Sequence, residues 1–418
     1  MSRLDELINE LCPNGVEFKC LGDIGQVKMC KRILKSQTNT NGGIPFYKIG
    51  TFGGEANAFI SEELFQEYRE KYSYPKVGEI LISAAGTIGR TVVYDGEPAY
   101  YQDSNIVWLA HDESNILNTF LRYCYELKPW NISSGGTIAR LYNDNILKAK
   151  VPVPPLEVQR EIVHILDSFT LLTAELTAEL TARKKQYEFY RDELLSVKKN
   201  IPIVKLGDIA TEFYRGSGIK RDEVTDTGIP CVRYGEIYTT YNTWFDKCVS
   251  YTKLDFVKSP KYFENGDILF AITGESVEDI AKSVAYIGHE KCLAGGDIVV
   301  MKHKQNPRYL AHVLATTEAR MQKSKGKVKS KVVHSNVPSI KEIQIPLPSL
   351  DVQEKYANVL DNFEAICTNL NIGLPAEIEA RQKQYEYYRD LLLTFAETGS
   401  TLMTDRQTDR QTDRAERN

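Results

Sequence analysis

The chain has 418 residues, of which 42% are hydrophobic and 26% are charged, and its formal net charge is −4. This length predicts two or three domains, and the composition is ordinary enough for each to bury a core. The slightly acidic balance excludes a globally basic, histone-like protein, although it is compatible with local basic faces.

The cysteines and the N-terminal residues indicate the cellular compartment of the protein. The eight cysteines form no Cys-x-x-Cys pair and have no histidine at ligand spacing, which favours reduced thiols and no metal site. The first residues include acids and lack the apolar core of a signal peptide, and no run of 18 apolar residues occurs. We therefore predict a cytoplasmic protein without a membrane span.

An internal repeat organises the chain. After a short predicted helix at 2–11, the word Leu-Gly-Asp-Ile stands at 21–24 and again at 206–209. Further pairs follow in the same order: 77–89 with 265–276, 102–109 with 295–301, 151–169 with 345–363, and 183–195 with 381–393. Such self-similarity predicts a duplicated unit of somewhat under 200 residues.

Each copy mixes short strands and helices. Alternating apolar residues before Gly-rich turns predict strands at 80–82 and 268–270. The segments 120–127 and 308–323 have helical patterns, and Pro-x-Pro at 152–155 and 346–348 indicates that a helix begins just beyond.

The longest predicted helix, 156–195, contains no Pro or Gly. Its apolar positions step by three or four residues, close to the 3.5 of a coiled-coil seam, and forty residues would span about 60 Å. A second such pattern runs from 350 to 395, and we expect it to break or kink at Gly373-Leu374-Pro375 and to resume at Ala376. The predicted segments are a first domain at 1–155, a long helix at 156–198, a second domain at 199–348, a long helix at 349–396, and a disordered repeat tail at 397–418.

These features together resemble the DNA specificity subunit of type I restriction–modification systems. The matching words are the Leu-Gly-Asp-Ile openings, the Pro-x-Pro-(Pro/Ser)-Leu-(Glu/Asp)-Val-Gln helix starts, the tandem Thr-Ala-Glu-Leu words at 173–180, and the Arg-x-Lys-Gln-Tyr-Glu helix ends. The resemblance covers residues 1 to about 396. It implies an α+β fold in which two mixed α/β target-recognition domains are joined by two long antiparallel coiled-coil helices, with pseudo-two-fold internal symmetry.

The resemblance also implies partners. Each recognition domain would read one half of a split double-stranded DNA target, and the chain would be non-catalytic. Two modification subunits would hold S-adenosylmethionine and methylate adenine, and two restriction subunits would use ATP and Mg. No cofactor is expected in this chain.

The tandem words fit a spacer. One four-residue word adds about 6 Å of helix, which is between one and two base pairs of DNA at ~3.4 Å each. The alternative interpretation is that these words only lengthen a helix.

Basic residues supply candidate DNA contacts. The segment 16–155 holds 15 Lys/Arg and 15 Asp/Glu, whereas 199–348 holds 22 and 17, so local clusters must provide positive faces. The candidates in basic or polar loops are Lys28, Lys31, Arg32, Arg90, Arg140, Arg215, Lys220 and Arg233, together with Gly135, Gly136 and Thr137 in a Gly-rich turn.

A lysine run lies near the end of the second domain. Lys323, Lys325, Lys327, Lys329 and Lys331 alternate with small or apolar residues. As an extended segment, this run would present five ammonium groups on one face to phosphates, although a solubilising loop remains the alternative.

The helices carry the predicted packing residues: Leu166, Phe169, Leu172, Leu176, Leu180, Tyr187, Tyr190, Leu360, Phe363, Tyr385 and Tyr388. The aromatic clusters at 187–190 and 385–388 exceed what a two-helix seam can bury. They are expected to contact a domain, a partner subunit, or the chain's own interior.

No sequence motif indicates catalysis. The chain lacks a phosphate-binding loop, a His-Glu-x-x-His helix and the Asp/Asn-Pro-Pro-aromatic word of amino methyltransferases. Two other functions remain open: a specificity protein of another restriction type, and a coiled-coil scaffold that binds no DNA. A silent or phase-variable copy is also compatible with the sequence.

Overall fold

The computed structural model describes residues 3–132, 139–196, 201–274, 277, 279–324, 333–368 and 373–398. The chain divides into two compact units, Met1–Ala174 with Ala380–Asn418 and Glu175–Glu379. Each unit contains one mixed α/β domain, the beginning of the long helix that follows this domain, and the end of the other long helix. The predicted tail at 397–418 lies almost wholly outside the described residues.

The helices follow the predicted order. They are α1 (Arg3–Leu11), α2 (Leu21–Ile24), α3 (Glu62–Lys71), α4 (Asn118–Glu126), α5 (Asn143–Leu147), α6 (Leu156–Leu194), α7 (Leu206–Ile209), α8 (Tyr234–Thr239), α9 (Pro307–Leu314), α10 (Thr317–Ser324), α11 (Val337–Lys341), α12 (Leu350–Thr368) and α13 (Gly373–Thr398). Both long helices begin at the leucine after the Pro-x-Pro words, because proline cannot donate the hydrogen bonds of a preceding turn.

In the first unit, the strands are β1 (Phe18–Cys20), β2 (Gln26–Lys28), β3 (Ile44–Tyr47), β4 (Phe59–Ile60), β5 (Ile80–Ser83), β6 (Thr91–Val93), β7 (Tyr100–Tyr101), β8 (Ile106–Ala110) and β9 (Lys150–Pro152). They form sheets in the orders β2-β8-β5-β6, β4-β3-β7 and β1-β9. Strand β5 is buried on both faces, which explains why the predicted strand at 80–82 is uniformly apolar.

In the second unit, the strands are β10 (Ile203–Lys205), β11 (Ala210–Arg215), β12 (Val224–Thr225), β13 (Ile229–Val232), β14 (Trp244–Phe245), β15 (Ser250–Thr252), β16 (Tyr262–Phe263), β17 (Ile268–Ala271), β18 (Thr273–Gly274), β19 (Ser283–Tyr286), β20 (Cys292–Ala294), β21 (Ile298–His303), β22 (Val333–His334) and β23 (Gln344–Pro346). The larger sheets have the orders β11-β21-β17-β19-β14 and β12-β15-β13-β20-β16, and the smaller ones are β10-β23 and β18-β22.

The repeated Leu-Gly-Asp-Ile word forms a short helix in both units. A Cβ atom on Gly22 would lie 3.2 Å from the Leu147 carbonyl oxygen in α5, and one on Gly207 would lie 3.2 Å from Lys341 Cβ in α11. Glycine therefore recurs because two short helices approach closely at this position in each copy. Beside each contact, an antiparallel pair, β1-β9 or β10-β23, joins the two ends of the domain.

The glutamine of the repeated Val-Gln pair, just after the start of each long helix, is a buried side chain that hydrogen-bonds to the neighbouring domain. Gln159 is fully buried; its amide nitrogen donates to the carbonyl oxygens of Asn115 and Pro154, and its oxygen accepts from Leu117 N. In the second unit, Gln353 donates to Pro348 O and Gln305 and accepts from Asn306 N. The same side chain thus fixes the start of each long helix to its own domain.

In the first unit, the long helices pack on each other and on the domain. Leu166 is buried in its core, Phe169 stacks on Tyr388 with 5.3 Å between ring centroids, and the Tyr385 hydroxyl donates to Glu126 at 2.6 Å. The predicted seam residues on α6 are half-buried: Leu172 in this unit, and Leu176 and Leu180 in the second unit.

The second unit packs its helices antiparallel but less completely. Lys184 lies near Cys367 and Tyr187 near Glu364, so residue numbers rise along one helix as they fall along the other. Leu360 is buried, but Tyr190 and Phe363 remain 47% and 48% exposed. The prediction that these two aromatics are seam residues is therefore only partly right, because they rim an apolar groove with Leu194 and Val359.

Two predicted helix boundaries were wrong. The segment 308–323 is not one helix, since α9 ends at Leu314 and α10 begins at Thr317. The second long helix resumes at Gly373, whose φ is 72°, and not at Ala376 as expected. Pro375 lies in the first turn of α13, where its missing N–H has no helical partner to lose.

Candidate nucleic-acid interface

A cleft of about 510 Å³ lies in the first unit where separate loops meet. Four basic side chains line it, namely Arg32, Lys35, Lys48 and Arg140, with Asp103 as the acidic one. The remaining lining residues are Ile33, Thr38, Phe46, Gln102, Ser104 and Asn105. Four cations against one carboxylate give this cleft a positive field, although the segment 16–155 as a whole is electrically balanced.

The guanidinium groups of the cleft are held in place. Arg32 Nε pairs with Asp103 Oδ2 at 2.9 Å, and Arg140 Nη2 donates to the Ser104 carbonyl oxygen at 2.8 Å. Ser104 has a φ of 61°, a left-handed conformation that turns its carbonyl toward Arg140. Arg32 stays largely exposed at 68% of its side chain, so one face of its fork is available to an anion.

Amide side chains lie beside these cations. Gln102 accepts a hydrogen bond from Ile49 N at 2.9 Å through its carbonyl oxygen, which fixes the orientation of its amide. Asn105 lies three residues further on, just before β8. Asparagine and glutamine can pair with both edge atoms of adenine, whereas arginine and lysine suit guanine and phosphate. The cleft therefore combines groups for backbone contact with groups for base readout.

The sequence pointed to only part of this cleft. Arg32 and Arg140 were predicted, but Gln102 and Asn105 were not singled out. The sequence feature that could have identified Gln102 and Asn105 is the repeated segment at 102–109, in which polar residues directly precede a buried strand.

The second unit places the equivalent cations differently. Strand β13 pairs in parallel with β20 as β3 does with β7, so Arg233 follows β13 as Lys48 follows β3. Arg233 Nε pairs with Glu236 at 2.9 Å, and Arg215 Nη2 pairs with Asp297 at 2.5 Å. Lys220 lies 3.5 Å from Glu223. These three predicted cations each have an acidic neighbour, which weakens their local field.

Three other predicted contacts lie outside the lining of the cleft. Lys28 is exposed at the end of β2, Lys31 lies over the Tyr72 ring at 5.1 Å, and Arg90 donates to the Phe52 carbonyl oxygen at 2.8 Å. They remain predicted phosphate contacts.

The lysine-run prediction needs correction at its first residue. Lys323 is in helix α10 and not in an extended segment, and its side chain is buried against Ser283 and Leu314. It therefore cannot present its ammonium group on an outer face. Lys325, Lys327, Lys329 and Lys331, like Gly135, Gly136 and Thr137, lie outside the described residues, and their contacts stay predictions.

One cluster in the second unit has the composition of a metal site. His312, Asp361 and Glu364 bring their ligand atoms within 4.8 Å of one another. Asp361, however, already accepts from His312 Nε2 at 2.7 Å, Trp244 Nε1 at 2.8 Å and Arg308 Nη1 at 2.6 Å. Burial acts to raise the pKa of Asp361, but these donors outweigh it and lower the pKa. The cluster is thus a hydrogen-bond network that ties α9 to α12.

The first unit repeats this network with different residues. Tyr123 in α4 donates to Asp167 in α6, and Asp167 stands at the repeat position of Asp361. An aspartate on the long helix therefore anchors the domain in both copies. Within the described ranges, no helix is long and apolar enough to cross a bilayer.

Comparison with known proteins gives one family. The sequence model described as "Type I restriction modification DNA specificity domain" matches residues 13–183 and again 198–380. A putative type I restriction enzyme specificity subunit of Haemophilus influenzae is 58% identical over 180 residues, which is 42% of this chain and 47% of that relative. The EcoR124I/EcoR124II specificity subunit of Escherichia coli is 31% identical over 309 residues, 68% of this chain and 72% of that protein.

A solved structure shares the fold. A chain from a study of complex assembly and conformational transition of the type I restriction–modification system aligns with a TM-score of 0.57 at 12% identity, covering 92% of this chain and 97% of that one. The family resemblance expected from the sequence is confirmed: the chain belongs to the type I restriction–modification DNA specificity family and carries the characteristic domain twice.

Proposed function

We propose that this chain gives a type I restriction–modification complex its sequence specificity, with each domain reading one half of a bipartite duplex target. The observation that supports this most directly is the duplication itself. The two diverged domains share the close helix contact at Gly22 and Gly207 and the hydrogen bonds of Gln159 and Gln353. The scaffold is therefore kept in both copies, while the loops that would contact DNA differ.

The cleft of the first unit suits half-site reading. Arg32, Lys35 and Lys48 can contact phosphates and fix the register of the domain on the duplex, which carries no sequence information by itself. Asn105, Gln102 and Arg140 provide the edge-reading groups, and a well-placed bidentate pair discriminates between bases by about 1–3 kcal/mol.

Helix α6 suits a spacer. It runs without interruption for 39 residues, about 58 Å, and contributes to both compact units. The tandem words at 173–180 lie in the middle of this helix. Their four-residue length changes the helix by about 6 Å per word, a step comparable to DNA base-pair spacing.

The helix ends suit partner binding. Phe189 is 65% exposed and its repeat partner Tyr387 is 43% exposed. Large apolar side chains exposed at matching places in two copies are typical of interaction surfaces. We infer that they dock two modification subunits. Light scattering of the purified assembly would measure two methyltransferase copies per chain; a single copy would contradict this stoichiometry.

Catalysis would then reside in those partners. The modification subunits would supply S-adenosylmethionine, and two restriction subunits would supply ATP- and Mg-dependent cleavage. This chain would contribute target recognition only, and the complex would act in the cytoplasm, where its DNA substrate is.

Binding selection from randomised duplexes tests the proposal. The reconstituted methyltransferase complex is expected to select a split motif, with two defined halves around an unspecified spacer. Asn105→Ala and Arg140→Ala should relax one half and leave the other unchanged, since both residues lie in one unit. Loss of about 1–3 kcal/mol at the affected positions is expected.

Arg69→Ala in the same unit serves as the control, because Arg69 stacks on Phe65 and Tyr74 away from the cleft. Selection of a continuous motif, or equal relaxation of both halves by Arg140→Ala, would refute the assignment of one half to this cleft.

A further inference from the structure

A second cavity, of about 460 Å³, lies within the second unit between its long helices and its domain. Five cations line it, contributed by the end of α6, the segment before β19, and helix α10: Lys184, Arg191, Lys282, Arg320 and Lys323. The acidic lining residues are Glu188, Asp279 and Glu364. A positive excess in a partly enclosed space is unusual for a cavity that merely results from imperfect packing.

Lys323 is the most constrained of these cations. Its side chain is buried, and its ammonium nitrogen donates to Ser283 Oγ at 3.1 Å and to the Leu314 carbonyl oxygen at 2.9 Å. Both acceptors are neutral, so they satisfy hydrogen bonds without balancing the charge. Within the described part of the chain, these bonds use two of the three ammonium N–H groups.

The neighbours of Lys323 add to the charge imbalance. Burial, and then the nearby Arg320 and Lys282, lower the pKa of Lys323 to about 7. Lys282 itself donates to the carbonyl oxygens of Tyr238 and Tyr241, at 3.3 and 3.5 Å. Burial lowers its pKa too, although Asp279 acts in the opposite direction.

Of the other charged groups, Arg191 pairs with Asp192 at 2.7 Å. Glu364 accepts a hydrogen bond from Thr243 Oγ1 at 2.5 Å and keeps its negative charge, which acts on Lys282 together with that of Asp279. Arg320 is exposed at the rim of the cavity. Among the described groups, three cations lie close together, namely Lys282, Arg320 and Lys323, and Asp279 and Glu364 are the carboxylates that act on Lys282.

We propose that this cavity binds a phosphate group, held by Lys323 at its wall and by Lys282 and Arg320 around it. A tetrahedral oxyanion accepts several hydrogen bonds at once and would balance the charge of the three cations. The phosphate can belong to a free small molecule or to the DNA backbone. The site itself does not depend on the proposed function, but the second source does.

Titration of the full-length chain with inorganic phosphate tests the site. Isothermal titration calorimetry at constant ionic strength, with chloride as the replaced anion, is expected to show one site per chain. Arg320→Gln should weaken phosphate binding at least fivefold, and Lys323→Met should weaken it at least tenfold. Because Arg320 is exposed at the rim, its variant tests the site even if the buried Lys323→Met fails to fold.

Lys304→Met is the matched control, since Lys304 is exposed and does not line the cavity. It should bind phosphate as the unchanged chain does. Absence of phosphate binding by the unchanged chain, or unaltered binding by Arg320→Gln, would overturn the proposal.

Competition separates the two sources. If the cavity takes the DNA backbone, a short duplex carrying the selected target will compete with phosphate, and Arg320→Gln will reduce the salt dependence of DNA binding. If it takes a free phosphate compound, phosphate will still bind fully in the presence of saturating duplex. Either outcome supports a phosphate site, and failure of DNA selection alone would not affect it.

Discussion

Single buried polar residues fix the long helices of this protein to its domains. Gln353 is fully buried and makes three hydrogen bonds, to Asn306 N, Pro348 O and the Gln305 side chain. Its counterpart Gln159 does the same in the other copy. This explains why the Val-Gln word survives in two otherwise diverged domains.

Replacing Gln353 by leucine is expected to destabilise the second unit by about 2–4 kcal/mol, because it removes the partner of the Asn306 N–H and of the Pro348 carbonyl oxygen. Urea unfolding of the variant measures this. Gln382→Leu on the exposed face of α13 should change stability by less than about 0.5 kcal/mol. Equal effects of the two substitutions would contradict the role of Gln353 in fixing the helix to its domain.

Lys323 predicts a distinctive pH dependence. Its pKa of about 7 lies below the ordinary value of 10.5, so between these values the unfolded chain binds more protons than the folded chain. The free energy of unfolding should therefore rise with pH in this interval, and the cost of the buried charge should be fully present below pH 7.

Unfolding measurements at pH 6.5, 8 and 9.5 on the unchanged chain and on Lys323→Met check this sign. The stability of the unchanged chain relative to the variant should increase as the pH rises. A difference that does not vary with pH would show that Lys323 keeps its ordinary pKa.

Among the structural elements, the long helices and the duplicated domains were predicted from the sequence better than the candidate DNA-binding cleft. The long helices were predictable because their apolar spacing is local, and the duplication because whole words recur. The cleft was only partly predictable, since Arg32, Lys48, Gln102 and Arg140 are far apart in sequence and meet only through sheet topology. Lys323 was assigned wrongly because the alternation of the lysine run was taken for an extended segment, whereas Lys323 lies in the last turn of α10.

Helix α6 gives an element-scale prediction. Deleting 177–180 removes one Thr-Ala-Glu-Leu word and about 6 Å of helix. The selected spacer should change by one or two base pairs while both half-sites keep their sequences. Selection from duplexes with varied spacers measures this directly. An unchanged spacer would refute the role of helix α6 in setting the distance between the half-sites, while leaving half-site recognition intact.

At the scale of the whole molecule, duplication gives one chain two similar surfaces with different details. The same aspartate anchors a tyrosine in one copy and a histidine in the other, through Tyr123–Asp167 and His312–Asp361. Phe169 and Tyr388 stack on each other, whereas Phe363 and Tyr190, at the corresponding positions of the other copy, are about half exposed. A shared scaffold with unlike surfaces suits an asymmetric target better than a palindrome.

Methylation sequencing of host DNA, with and without this chain, measures whether the chain sets the sequence specificity of the complex. The host must retain the partner methyltransferase, so that only specificity is removed. One split, adenine-methylated motif is expected to disappear when the chain is absent and to return when it is restored. A methylation pattern that stays the same in all three states would contradict its role as the specificity subunit.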